Sequence, residues 1–260
     1  MKILLPPSEG KTPAPASQLP VDLVELSLPE LTEERETVLE TLMRVSAEPT
    51  AMEQLKVGAS LAAEVERNTR LLSEPAQEAY LTYSGVLFEA LDMPDMSEAE
   101  LQRAQESILI SSALWGTVTP LDRIPAYRLS MGVKLGELGD LAKFWKGVLT
   151  PVLNDLYGEE LIIDCRSGVY AKTWAPTPSH CVAVRVEKVF EDGSRKVVSH
   201  MAKHYRGLLA GFLVRSSAST HAELNRPEAL AEFLSSEGWD VELEAATARK
   251  AAQLTVLVRE

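Results

Sequence analysis

Cysteine is scarce in this chain: only Cys165 and Cys181 occur in 260 residues. Neither belongs to a Cys-x-x-Cys spacing, which excludes a zinc ribbon and a thioredoxin-like redox site. Each sits in or beside an apolar, strand-like run, the setting of a reduced core thiol. Long apolar runs are also missing. None approaches the roughly 20 residues that span a bilayer, and the opening Met-Lys-Ile-Leu-Leu-Pro-Pro is too short for a signal-peptide core and is broken by proline. These absences predict a cytoplasmic protein with no membrane association. Gly10-Lys-Thr12 lacks the leading glycine of a P-loop, whose place is held by Leu5, and Pro13 and Pro15 forbid the helix that should follow. His200 and His204 stand one helical turn apart, as metal ligands can, but no carboxylate or third histidine lies nearby in sequence. No metal and no cofactor is expected.

What is present suits a globular protein. Apolar residues make up 45% and charged residues 25% of the chain, enough to bury a core. The net charge of −12 argues against nonspecific coating of nucleic acid. The charge is uneven, however. Residues 1–115 carry 8 Lys and Arg against 20 Asp and Glu, residues 116–215 carry 14 against 10, and residues 216–260 carry 4 against 8. A basic middle between acidic flanks points to an anionic partner there.

The pattern predicts a buried strand over residues 1–5, helices over 29–45, 50–71 and 75–91, and a capped helix starting at Ser97. A strand follows over 107–114, then an amphipathic helix over 140–157 and a strand over 161–165. Residues 181–190 and 195–199 flank Glu-Asp-Gly-Ser as a hairpin, residues 200–215 form a helix, and two strands close the chain over 239–244 and 254–259. Strands and helices alternate without an even beat. One α/β domain over residues 1–260 with a mixed sheet fits best.

Four segments carry chemistry. In Pro6–Thr12, Ser8 and Lys11 lie where a loop leaves the carboxyl end of a strand, a common ligand position in α/β sheets. Ser111–Met131 contains Leu-Trp-Gly116, a tight turn of the kind that holds phosphate in helix-hairpin-helix modules, and brings in Asp122, Tyr127 and Arg128. The bland alternative makes Asp122 a turn cap paired with Arg128. Asp164–Lys172 runs from a strand into a Ser-Gly turn and is not the Gly-x-Ser-x-Gly elbow of hydrolases. In the helix over 200–215, Lys203, Arg206, Gly207 and Ala210 share one face, where small residues let a phosphate or a second backbone approach.

Together these segments resemble the YaaA family of peroxide-stress proteins from Met1 to about Phe212. The carrying stretches are Ile3–Thr12, Leu114-Trp-Gly with Pro-Leu-Asp and Tyr-Arg-Leu-Ser-Met-Gly132, Phe144-Trp145 with Leu153-Asn154, Ser167 to Tyr170, and Ala202-Lys with Arg-Gly207. The resemblance implies an α/β fold with a helix-hairpin-helix element and a positively charged cleft, association with DNA, and protection from peroxide by keeping unincorporated iron low. Carried over by motif, the phosphate or nucleic-acid residues are Lys11, Gly116, Arg128, Lys203 and Arg206. The rival reading is an enzyme acting on a nucleobase, nucleoside or nucleotide, with Asp122, Ser8 and Tyr127 as its acid–base and positioning groups. The partners expected are DNA or a nucleotide-like small molecule.

Overall fold

Apolar runs that were continuous in sequence become the buried centre of a mixed sheet. The computed structural model describes residues 1–259, apart from the side chains of Ser199 and His200. In chain order the strands are β1 (Lys2–Leu5), β2 (Ala76–Glu78), β3 (Ile108–Ser112), β4 (Gly116–Val118), β5 (Arg123–Pro125), β6 (Lys134–Leu135), β7 (Gly139–Asp140), β8 (Ile162–Asp164), β9 (Cys181–Val189), β10 (Arg195–Val197), β11 (Val241–Glu244) and β12 (Ala252–Arg259). The α-helices are α1 (Thr32–Ser46), α2 (Ala51–Gln54), α3 (Ala62–Asn68), α4 (Ala79–Thr82), α5 (Val86–Leu91), α6 (Glu98–Ser107), α7 (Leu141–Tyr157), α8 (Ser199–Arg215), α9 (Ala218–Glu223) and α10 (Pro227–Ser236).

The large sheet runs β11-β12-β9-β8-β1-β3-β4, with β10 added to β9. Its inner strands β12, β9, β8, β1 and β3 pair in parallel, whereas β11, β4 and β10 pair antiparallel. Ile3 of β1 stands between Ile108 of β3 and Ile163 of β8, and all three are fully buried. Strands covered on both faces read as unbroken apolar runs, which is why these were recognisable. From β1 the chain moves to β3 on one side and later returns to β8 on the other. That reversal opens a crevice beyond the carboxyl ends of β1 and β8, the place where open α/β sheets hold ligands.

Helix ends follow local chemistry. Ser97 and Glu100 form a reciprocal capping box at the start of α6, and the Asp140 carboxylate accepts from Lys143 N at 2.9 Å to begin α7. α8 lies against α5 and β9. A Cβ at Gly207 would sit 2.1 Å from the Leu87 carbonyl oxygen, so the small-residue face of α8 receives the backbone of α5.

Three expectations are corrected. The helix predicted over 75–91 is β2, α4 and α5: its start pairs with β5 as a strand, and Gly85 at φ +93° separates the two helices. The helix predicted over 50–71 divides at Leu55–Gly58 into α2 and α3. The Leu114–Gly116 turn, expected within a helix-hairpin-helix, joins β3 to β4, and its flanks are strands.

Candidate functional site

The crevice between β1 and β8 is a real cavity of about 350 Å³. The Pro6–Gly10 loop forms one wall, the start of α5 with Ser84 and Phe88 another, and Ser167, Tyr170 and Lys203 the rest. Ser8 ties the loop in place. Its Oγ accepts from Ser84 N at 3.0 Å and donates to the Gly10 carbonyl. Arg128 clamps the same loop from outside, donating to the Glu9 carbonyl at 3.0 Å and to the Glu9 carboxylate at 3.2 Å, with Glu64 at 3.7 Å. The Arg128 backbone is fixed in turn by the Asn68 amide, which both donates and accepts at 2.8 Å.

Lys11 lies beneath the loop. Its Nζ donates to the Ser8 carbonyl at 3.0 Å and stands 4.3 Å from the Tyr127 ring and 5.6 Å from the Tyr83 ring. Burial lowers its pKa to about 7; the nearby Glu9 charge resists the shift and Arg128 adds to it. Behind Lys11 runs a buried row of hydroxyls. Tyr83 and Tyr127 are 3.1 Å apart at their oxygens, and Tyr127 meets Ser112 Oγ at 2.8 Å. Ser112 Oγ also accepts from Leu114 N and Trp115 N at 3.2 and 3.0 Å. Burial raises the Tyr83 and Tyr127 phenols well above their ordinary pKa and pushes Tyr170 up to about 12, so all three stay neutral hydroxyls at physiological pH.

A second cavity, of about 480 Å³, adjoins the first and shares Ser167 and Lys203 with it. Arg166 braces the boundary. It donates from Nε and Nη2 to the two Asp164 oxygens at 2.9 and 2.8 Å and from Nη2 to the Trp174 carbonyl at 2.7 Å. That bidentate pair fixes the loop leaving β8.

The amino-acid sequence as a whole can be compared with known proteins. A family model described as peroxide stress protein YaaA matches residues 1–244. The chain belongs to the YaaA family of peroxide-stress proteins. A UPF0246 protein of Streptomyces coelicolor is 41% identical over 263 residues, covering 100% of this chain and 99% of the relative. UPF0246 proteins of Corynebacterium efficiens and Shewanella woodyi are 44% and 31% identical, covering 86% and 80% of this chain and 90% and 85% of their own lengths.

The residues singled out from this YaaA-family sequence divide into three groups. Ser8 and Lys203 line the first cavity, Lys203 and Arg206 line the second, and Lys11 lies under the loop between β1 and α5. Arg128 and Tyr127 sit next to this region but are occupied, the one by Glu9 and Glu64, the other by Ser112 and Tyr83. Asp122 and Gly116 do not reach it. The Asp122 carboxylate accepts from Ser27 N and Ser27 Oγ at 2.8 Å and from Thr119 N at 2.7 Å, so it caps a buried turn, and Arg128 is not its partner. Gly116 is buried at φ +70°, and a Cβ there would lie 2.6 Å from the Trp145 ring. Its requirement for glycine comes from packing, and its amide does not face an open surface.

Sequence reasoning missed Tyr83, Ser112, Arg185 and the fully buried Arg35. Arg35 donates to the carbonyls of Ser27, Leu28, Trp115 and Thr117, and burial lowers its pKa to about 10. Ser167 stands in the strand-end Ser-Gly turn that the sequence marks as a ligand position, and it lines both cavities; Tyr170, in the same stretch, lines the smaller one. Among the described residues no group of three or more His, Cys, Asp or Glu side chains could hold a metal, and the His200 side chain lies outside that description. Among the described residues no helix is long and apolar enough to cross a membrane.

Proposed function

We propose that the chain serves in the peroxide-stress response by taking a phosphate-bearing, nucleotide-sized ligand into the crevice at the carboxyl edge of its sheet. One observation carries this reading: two adjoining cavities of about 350 and 480 Å³ share Ser167 and Lys203 at the point where the strand order reverses. Cavities of a few hundred cubic ångströms match small molecules. Ser167 and Tyr170 offer hydroxyls, Phe88 offers an aromatic wall and Lys203 offers positive charge, while Ser8 holds the loop that forms the wall. Calorimetric titration with nucleosides and nucleotides tests the idea. Ser167→Ala and Tyr170→Phe should each weaken binding about 2- to 12-fold, the range of a single hydrogen bond. If no nucleoside or nucleotide binds at millimolar concentration, the reading is wrong.

Association with DNA is the second reading, and the exposed position of Lys203 at the cavity edge favours it. A strand laid across the mouth would meet Lys203 and Arg206, without help from Gly116 or from Arg128. Replacing both cations by alanine should then flatten the slope of log K against log salt by about 2. An unchanged slope removes them from any DNA contact. Membership of a peroxide-stress family also supports a role in limiting damage from unincorporated intracellular iron.

A further inference from the structure

We infer that the larger cavity is a phosphate pocket built on Arg185 and Arg206, and that it receives the phosphate end of a nucleotide whose base occupies the smaller one; this rests on the nucleotide reading of the crevice. The larger cavity is lined by four cations, Arg166, Arg185, Lys203 and Arg206, against one carboxylate, Asp164. Asp164 is already matched to Arg166 by two hydrogen bonds. The remaining three cations face a space with no lining carboxylate to balance them.

The second observation concerns individual donors. The Nε–H groups of Arg185 and Arg206 are both buried and both lack any hydrogen-bond partner. Buried donors are almost always satisfied, so each unsatisfied one calls for an explanation. Arg185 uses Nη2 on Glu187, and Arg206 uses Nη2 on the Val184 carbonyl at 2.8 Å. These bonds anchor the two guanidinium groups, leave Nη1 of each without a partner among the described residues, and leave Nε unpaired but shut off from solvent, so that a ligand oxygen meets Nη1 first and Nε only once the side chain turns. Guanidinium donors suit phosphate oxygens in both charge and geometry. Lys203 has no carboxylate partner among the described residues and stands on the wall shared with the smaller cavity. Alanines 171, 183 and 202 complete the lining with little bulk. Arg166 is excluded from the ligand set, because Asp164 and the Trp174 and Tyr170 carbonyls take its donors.

The test compares five probes at one ionic strength, by calorimetry on the full chain: adenosine, guanosine, their two 5′-diphosphates, and inorganic pyrophosphate. A diphosphate should bind at least about tenfold more tightly than its nucleoside, as expected for charge-assisted hydrogen bonds. Arg185→Gln and Arg206→Gln should each remove most of that increment and leave nucleoside affinity within about twofold. Should Arg206→Gln fail to fold, Arg185→Gln decides, since the one ion pair it breaks, with Glu187, involves a side chain that is itself partly exposed. Nucleosides that bind as well as diphosphates, or an increment untouched by Arg185→Gln, would overturn the phosphate pocket while sparing the nucleotide site. Pyrophosphate binding that depends on Arg185, with nucleotides gaining nothing over it, would keep the pocket and remove the nucleotide. If none of the probes binds, both ideas fall together.

Discussion

Lys11 is held where its own charge is disfavoured. Burial brings its pKa from 10.5 to about 7, and the sign of the consequence is fixed by linkage. Between those two values the unfolded chain binds a proton that the folded chain has released. Stability from this site therefore rises with pH through that window, and below pH 7 the full penalty is felt. Lys11→Met should raise the melting temperature most below pH 7, with the gain shrinking steadily toward pH 10. A gain that is flat across that range would show that Lys11 keeps its ordinary pKa. The two buried thiols are pushed the other way, each up to about 12, because burial disfavours the thiolate. Other side chains have settled roles that their type alone did not reveal. A carboxylate beside Thr-Pro-Leu can be a general acid or a turn cap, and only the distant Ser27 shows that Asp122 is the latter.

At the scale of elements, the approach of α8 to α5 controls where Lys203 and Arg206 stand. Gly207→Ala would place a methyl 2.1 Å from Leu87 O and 2.9 Å from Ala90 Cβ, with no flexible tip able to yield. Overpacking of this kind costs about 1–3 kcal/mol. A thermal melt should fall by several degrees, and ligand or DNA affinity should fall with it because α8 is displaced. An unchanged melt would mean that the helices separate freely. The buried centre of the sheet was legible because β1, β3 and β8 are too apolar to be anything but covered on both faces. The hairpin of β9 and β10 was legible from its Asp-Gly, and α6 from its capping box. The run over 75–91 was not, since its apolar residues fit helical spacing while Gly85 set the backbone otherwise. Within the site, Ser8 stood out because a proline-stiffened loop followed a strand. Arg185 did not, because a cation in an alternating strand reads as the solvent face, and nothing local says that Ala202, Lys203 and Arg206 of α8 line the same cavity.

At the scale of the whole molecule, a net charge of −12 surrounds a cavity whose lining has four cations against one carboxylate. The global field repels polyanions, whereas a small anion inside the crevice meets mostly local charge. Cells lacking the protein should be sensitised to hydrogen peroxide, and an iron chelator should restore their growth. A version carrying Cys165→Ala and Cys181→Ala should complement as well as the parent, since neither thiol is exposed or acidic. Equal chelatable iron in deleted and parental cells would remove the iron connection, and loss of complementation would make a thiol part of the mechanism. The placement of β12 has a consequence for biosynthesis. This strand pairs with β9 from Ala252 to Arg259 and contributes Gln253 to the wall of the larger cavity. Until residues 252–259 have been made, β9 keeps an open edge, although all four cations of the larger cavity already lie upstream.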